Sequence, residues 1–343
     1  MNQNIVITED AAGEVAALIR LQRYGKVILV TGKTYSGWME LLQQGSSCEL
    51  VHWQLTNDLP SMDQLNQVRP SLHMNPDLVI AVGGGRIIDL AKVLVQETAV
   101  RKKPVFAVVP TTAGSGSEAT PFAVLYNNKV KQSIQDAVLL PDHVYLDHTL
   151  VQNQPPLQRA ISGFDALSQS IESLWNKANN AESENFAFLA LGLLYAHLTE
   201  FINTPASSPA KDVQWAAYLA GKAIGITKTT GCHALSYYLT AEHGVPHGQA
   251  VAYFLPMFFA YNDIADYPNQ LKIYGLLQAN DGVDAARKIS DKMRGCGLKT
   301  KCESSMNVDI DALIDSVNQE RFANNPAPYN KPRLREFIEK YLL

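Results

Sequence analysis

The chain has little of what marks a disulfide scaffold, a membrane protein or a nucleic-acid binder. Its 343 residues include four cysteines, Cys48, Cys232, Cys296 and Cys302, with no C-x-x-C pair. That spacing excludes a cysteine zinc site and a thioredoxin-type motif, and reduced thiols are expected. No apolar run reaches the ~18 residues of a membrane span. The N-terminal MNQNIVITED carries no basic-then-apolar leader, so a cytoplasmic, non-membrane protein is expected. Lysine and arginine number 29 against 33 acidic residues. A net charge of −4 argues against nucleic-acid or anionic-membrane partners. Like-charge blocks, internal repeats and low-complexity tracts are also missing. What is plentiful is apolar: 46% of residues against 18% charged. At this length a sizeable core divided between two domains follows.

The halves differ in pattern. In the first, short β-branched runs alternate with helical segments. Lys26–Thr31, Glu49–Leu55, Asp77–Val82, Pro104–Val109 and Val144–Asp147 read as strands. The segments from Gly37 to Gln44, from Met62 to Val68 and from Gly85 to about Gln96 read as helices. Tyr126 to Asn128 reads as a hairpin turn. Strands alternating with helices predict a largely parallel sheet covered on both faces. From about Gln158 the pattern is helical nearly to the end, for example at Ala187–Phe201 and Val213–Ile224. Pro205–Pro209 and Asn324–Pro332 read as loops. The change falls at Pro155–Pro156 and predicts an α/β domain over residues 1–157 and an all-α domain over 158–343.

Two turns in the first half suit a nucleotide. Gly83, Gly84 and Gly85 follow an apolar strand and open a helix containing Asp89 and Lys92. Glycine lets backbone approach a phosphate, and a helix N-terminus supplies free N–H groups and a positive dipole. The spacing is not G-x-G-x-x-G, so the ordinary dinucleotide fingerprint is absent. The second turn is Pro110 to Glu118 (PTTAGSGSE), rich in small hydroxyl donors. The bland alternatives are an ordinary strand-to-helix turn and a flexible loop. In the second half, Asp165, His233 and His247 supply one carboxylate and two imidazoles, a set that holds zinc or ferrous iron. Two satisfied core histidines are the competing explanation. Cys232 reads as packing and His243 as a surface or loop residue. A metal beside a nucleotide points to hydride transfer to a carbonyl.

The ordered motifs GGGR-IIDLAK, PTTAGSGSEAT, GFDALSQSIE and CHALSYYL…GVPHGQAVAYFLP resemble the iron-containing (group III) alcohol dehydrogenases. The likeness runs from about Lys26 to Asn262. It implies a dinucleotide-binding α/β domain, a helical metal domain and an active site in the cleft between them. By motif it makes Asp165, His233 and His247 metal ligands for Fe2+ or Zn2+. It lines the nicotinamide cofactor with Gly83, Gly84, Gly85, Asp89, Lys92, Thr111, Thr112, Ser115 and Ser117, and it implies a homodimer. Two departures stand out. Gln169 occupies the position of the family's fourth ligand, a histidine. Tyr237 replaces a second cleft histidine, and its hydroxyl is a candidate for proton relay or substrate bonding. Three ligands plus water still make an open catalytic centre.

The segments GKAIGITKTTGCHALSYYLT and GFDALSQSIESLW resemble the phosphonoacetaldehyde reductase (hydroxyethylphosphonate dehydrogenase) branch. A small, anionic aldehyde or alcohol is then the expected substrate, and Lys228 the candidate cation for it. Gly32 stands where NAD-preferring members carry an aspartate. With Lys33 beside it, Gly32 predicts NADP(H) over NAD(H). The alternatives are a dehydroquinate-synthase-like lyase, disfavoured by the lack of an Arg/Lys cluster, and a metal-free nucleotide-binding descendant.

Overall fold

The computed structural model describes residues 3–44, 47–55, 60–127, 130–204, 206–267 and 269–343. They form two compact units, Met1–Asn153 and Gln154–Leu343.

Among the described residues the first unit has eight strands: β1 (Asn4–Thr8), β2 (Lys26–Gly32), β3 (Glu49–Leu55), β4 (Leu78–Gly83), β5 (Val105–Pro110), β6 (Phe122–Asn127), β7 (Val130–Gln135) and β8 (His143–Asp147). Its helices are α1 (Ala11–Gln22), α2 (Trp38–Gln43), α3 (Met62–Val68), α4 (Gly85–Ala99) and α5 (His148–Gln152). Six strands form a parallel sheet in the order β1-β8-β5-β4-β2-β3. The middle of the sheet explains the unbroken apolar runs. Every residue of β4 is buried, as are Val27 to Thr31 of β2, because a central parallel strand is covered on both faces. The edge strands β1 and β3 are mostly half-exposed. Strand β1 and helix α1 escaped the sequence reading. Asp10 caps α1 by accepting a hydrogen bond from the Gly13 amide at 2.9 Å, a signal that was available in the sequence.

The strand order reverses between β2 and β4. The chain passes from β2 outward to β3, then crosses back to build β4, β5 and β8 on the other side. In open α/β sheets the crevice at the carboxyl ends of such strands is where ligands bind. Thr31 pairs with Val82 in register, so Gly32 and Gly83 end the two strands that flank this crevice.

Strands β6 and β7 form a separate antiparallel pair, with register from Phe122↔Gln135 to Asn127↔Val130. The expected hairpin strands are present, with Tyr126 and Asn127, read as part of its turn, inside β6; Asn128 lies outside the described residues. Helix α4 carries this pair. Lys92 is fully buried and its ammonium donates to the carbonyls of Thr120 (2.8 Å) and Phe122 (2.6 Å). Asp89 accepts from the Val124 amide at 3.0 Å and from the Ser117 hydroxyl.

The second unit is helical: α6 (Pro156–Trp175), α7 (Ala181–Asn203), α8 (Ser207–Thr227), α9 (Gly231–His243), α10 (His247–Asn262), α11 (Gln270–Leu277), α12 (Gly282–Gly295), α13 (Ile310–Asp315), α14 (Gln319–Phe322) and α15 (Lys331–Tyr341). The expected loop over Pro205–Pro209 is shorter than expected. Helix α8 already begins at Ser207, and Pro209 sits in its first turn, where a missing N–H costs nothing; Pro205 lies outside the described residues. Among the described residues α7 alone is long and apolar enough to cross a membrane, and here it packs against α6 and α8. Helix α10 is apolar all round and, from Gly248 to Asn262, buried, as a core helix should be. At Gly248 it runs so close to α6 that a Cβ there would lie 2.1 Å from the Ile161 carbonyl oxygen.

Candidate functional site

Three potential ligand atoms converge in the helical unit. Those of Asp165, His233 and His247 all lie within 4.8 Å of one another. Helix α6 supplies Asp165, the first turn of α9 supplies His233, and His247 is the first residue of α10. The imidazoles of His233 and His247 stand 5.4 Å apart, centroid to centroid, at 66°. His233 Nε2 is 3.2 Å from Asp165 Oδ1. A cation held at about 2.1 Å by two such atoms in tetrahedral geometry would see them roughly 3.4 Å apart.

The residue that organises this arrangement is Glu172, which the sequence reading missed. It is fully buried on α6, and one carboxylate oxygen bonds His233 Nδ1. The other accepts from the amides of Thr230 (2.9 Å) and Cys232 (3.0 Å) and from the Thr230 hydroxyl (2.8 Å). One carboxylate thus caps the N-terminus of α9 and fixes the imidazole that α9 presents. With Nδ1 engaged, Nε2 is left facing Asp165. Metal-binding histidines use this carboxylate support to set tautomer and ring orientation. Its position was legible in principle: residues 165, 169 and 172 follow i, i+4, i+7 spacing, which puts them on one helical face.

The charges favour a cation. Burial would raise the Asp165 carboxyl, but hydrogen bonds from His233 and Gln169 and the nearby imidazoles hold it below its ordinary range. Glu172 is also pushed up by burial, and His233 and the Thr230 donors more than reverse this. Burial pushes the His233 imidazole down, yet Glu172 and Asp165 outweigh it and lift it to about 9. Two buried carboxylates therefore share one imidazolium. Among the described residues neither has a lysine or arginine nitrogen within 4 Å. A divalent cation displacing the Nε2 proton would supply the missing positive charge. The donor set fits Zn2+ or Fe2+ with an open position.

The remaining sequence candidates divide. Gln169 is buried one turn after Asp165 and hydrogen-bonds its carboxylate, so it orients that residue. Tyr237 stacks on His247, with ring centroids 5.8 Å apart and planes 4° apart. Burial pushes its phenol above 10, against the opposing pull of Arg321 and a hydrogen bond with Thr229. At neutral pH it is a donor and not a base. Lys228 lies at the end of α8. Its ammonium pairs with Glu320 at 3.1 Å on the surface. Lys228 ends α8 with φ 62° and ψ −176°, a region reserved almost entirely for glycine. After this strained turn Thr229 is buried beside Tyr237 and Thr230 beside Glu172. His243 is the last residue of α9, with its ring against Tyr238, and Cys232 is buried.

In the first unit the nucleotide candidates gather at the crevice between β2 and β4. The Thr111 amide donates to the Gly83 carbonyl at 3.1 Å, joining the two turns. Packing alone requires glycine here. A Cβ on Gly83 would lie 2.5 Å from Ile87, and one on Gly85 would lie 2.5 Å from the Ser115 hydroxyl. Helix α4 starts without a side-chain cap and without an acid in its first turn, a form suited to a phosphate. Gly32 ends β2, with exposed Lys33 next to it. Thr112 and Ser115 are partly exposed. Asp89, Lys92 and Ser117 also make bonds within the unit. They tie α4 to the following loop and strand, and the Lys92 ammonium is enclosed by carbonyl acceptors and not offered to a ligand.

Residues 2–148 match the iron-containing alcohol dehydrogenases, and residues 159–340 match the C-terminal part of the Fe-containing alcohol dehydrogenase family. The chain belongs to the iron-containing alcohol dehydrogenase family and is an NAD(P)-dependent alcohol dehydrogenase. Among its relatives is a long-chain-alcohol dehydrogenase of Geobacillus thermodenitrificans, 31% identical over 77% of this chain and 74% of that one. A phosphonoacetaldehyde reductase of Streptomyces viridochromogenes is 28% identical over 76% and 75%. A sulfoacetaldehyde reductase of Bifidobacterium kashiwanohense, solved with NAD+, superimposes with a TM-score of 0.90 at 25% identity, covering 99% of this chain and 96% of that one.

Proposed function

We propose that this chain reduces a small anionic aldehyde, phosphonoacetaldehyde being the leading candidate, to the primary alcohol with NADPH. A divalent cation, Fe2+ or Zn2+, held by Asp165, His233 and His247 would supply Lewis-acid polarisation of the carbonyl oxygen. The observation that carries this reading is the convergence of those three residues with Glu172 behind His233. Glu172 sets the tautomer, Gln169 steadies Asp165, and Tyr237 remains protonated as a hydrogen-bond donor. Gly32 and Lys33, at the end of β2, support NADPH, since no carboxylate stands there to repel a 2′-phosphate. Relatives that act on phosphonoacetaldehyde and sulfoacetaldehyde support an anionic substrate. The family likeness also supports a cytoplasmic homodimer, and light scattering on the purified protein would read the subunit number.

The test is to purify the protein without chelator, measure bound iron and zinc, and follow NADPH oxidation with a panel of small aldehydes. Stoichiometric metal, and turnover lost on chelation and restored by either ion, is the expected result. No turnover of any aldehyde with either metal supplied would refute the reading.

A further inference from the structure

Arg321 came from neither composition nor motif. It lies on the short helix α14, whose cap is the Asn318 side chain accepting from the Arg321 amide at 2.9 Å. The next residue, Phe322, is buried against the rings of Phe258, Tyr261 and Tyr329, so α14 is anchored where it touches the bundle. The guanidinium lies 6.0 Å from the centre of the Tyr237 ring, and that ring is stacked on His247. Its Nη1 donates to Thr229 Oγ1 at 2.7 Å. Among the described residues no carboxylate oxygen lies within ion-pairing distance of it. The neighbouring Lys228 has Glu320; Arg321 has one threonine hydroxyl and the face of a tyrosine. Its guanidinium thus lies one ring removed from a candidate metal ligand, with only a through-space pull from Glu320, whose carboxylate pairs with Lys228.

We propose that Arg321 is the specificity-determining residue that recognises the anionic end of the substrate, a tetrahedral oxyanion of the phosphonate or sulfonate type. The inference rests on the aldehyde-reductase reading above and assigns to Arg321 the part that sequence proximity gave to Lys228. A guanidinium suits such a group because its planar fork bonds two oxygens at once, which a lysine does not. Thr229 and Tyr237 hold the fork in place, which lowers the ordering cost of binding. A neutral aldehyde gains nothing from it.

The experiment compares metal-loaded wild type with Arg321→Ala, Arg321→Lys and Lys228→Ala. It measures kcat/KM for phosphonoacetaldehyde, sulfoacetaldehyde and butanal, and binding of ethylphosphonate and ethanesulfonate by calorimetry. Arg321→Ala should lower the anionic-to-neutral ratio of kcat/KM by about 10- to 100-fold, mainly through KM. The matching oxyanion should bind more weakly by a similar factor, and Arg321→Lys should recover part of both. The oxyanion most affected identifies phosphonate or sulfonate as the group read. Lys228→Ala should leave the ratio within about twofold, as for an exposed ion pair. An unchanged ratio in Arg321→Ala, an equal loss on all three aldehydes, or a collapse in Lys228→Ala instead would overturn the assignment. Should Arg321→Ala fail to fold, the Arg321→Lys ratio and calorimetry decide alone. If wild type reduces no aldehyde, the reading above fails, while the oxyanion titrations still judge Arg321.

Discussion

Glu172→Gln separates the support for His233 from the ligands themselves. The substitution keeps the shape of the side chain and removes its charge. In the native arrangement one oxygen faces two amides and a hydroxyl at 2.8–3.0 Å, and the other faces His233 Nδ1. The glutamine oxygen must take the first role, because turning the amide would put its N–H groups against the donors at the start of α9. Its NH2 then faces Nδ1. Without metal this is tolerable: the imidazole places its proton on Nε2, toward Asp165, and accepts at Nδ1. With a cation on Nε2 the proton must return to Nδ1, and two donors meet in a buried site. An unsatisfied buried donor costs about 1–3 kcal/mol, or roughly 5- to 150-fold in an equilibrium constant. The cost falls on the metal-bound state, so the dissociation constant for Zn2+ should rise about 10- to 100-fold at pH 7. Competition with a chromophoric chelator measures it. Glu172→Ala is expected to do more, because it also leaves the α9 amides without an acceptor, each at a further cost of about 1–3 kcal/mol to the fold. Unchanged zinc affinity in a folded Glu172→Gln protein would refute the role given to this carboxylate.

Three other outcomes are expected. Gly32→Asp should move the NADH-to-NADPH ratio of kcat/KM toward NADH by about 10-fold or more. A Cβ there meets only Ile87 Cδ1 at 3.9 Å, so the change is sterically mild, and a constant ratio would remove Gly32 from the account of cofactor choice. Glu118 is buried, and desolvation lifts its carboxyl from 4.5 to about 7. A raised folded-state value means stability that is full below about pH 4.5 and is lost as pH rises through about 7. Glu118→Gln should flatten the Tm profile across that window, and an unaltered profile would contradict the burial effect. Lys228→Gly should raise stability by about 1 kcal/mol, since relief of a glycine-only backbone conformation exceeds the entropy lost. Denaturant unfolding would show this, and a less stable variant would mean that the conformation is not strained.

Much of the fold was readable because burial sets the sequence pattern. Central strands such as β4 must be apolar throughout, and a helix such as α7 shows its period over many residues. The short edge strand β1 was not readable, because half-exposure leaves five residues with no clear signal. Asp165, His233 and His247 were found by residue type and motif, and the fold brings them together. Glu172 lay on the same helical face as Asp165, but nothing in its neighbours marks a carboxylate that caps another helix. Lys228 and Arg321 show the opposite limits of the sequence. Lys228 is five residues from His233, yet its ammonium pairs with exposed Glu320. Arg321 is far along the chain yet reaches Tyr237, because an aromatic cluster holds its helix there.

The close packing of the two nucleotide-type turns also limits how they can change. Gly83 and Gly85 are held to glycine by Ile87 and by Ser115, and the second of these belongs to the other turn. The Thr111 amide bonds the Gly83 carbonyl across the same gap. A larger residue at Gly85 would need a smaller one at Ser115 in the other turn. The two segments should therefore be inherited, and engineered, as one module.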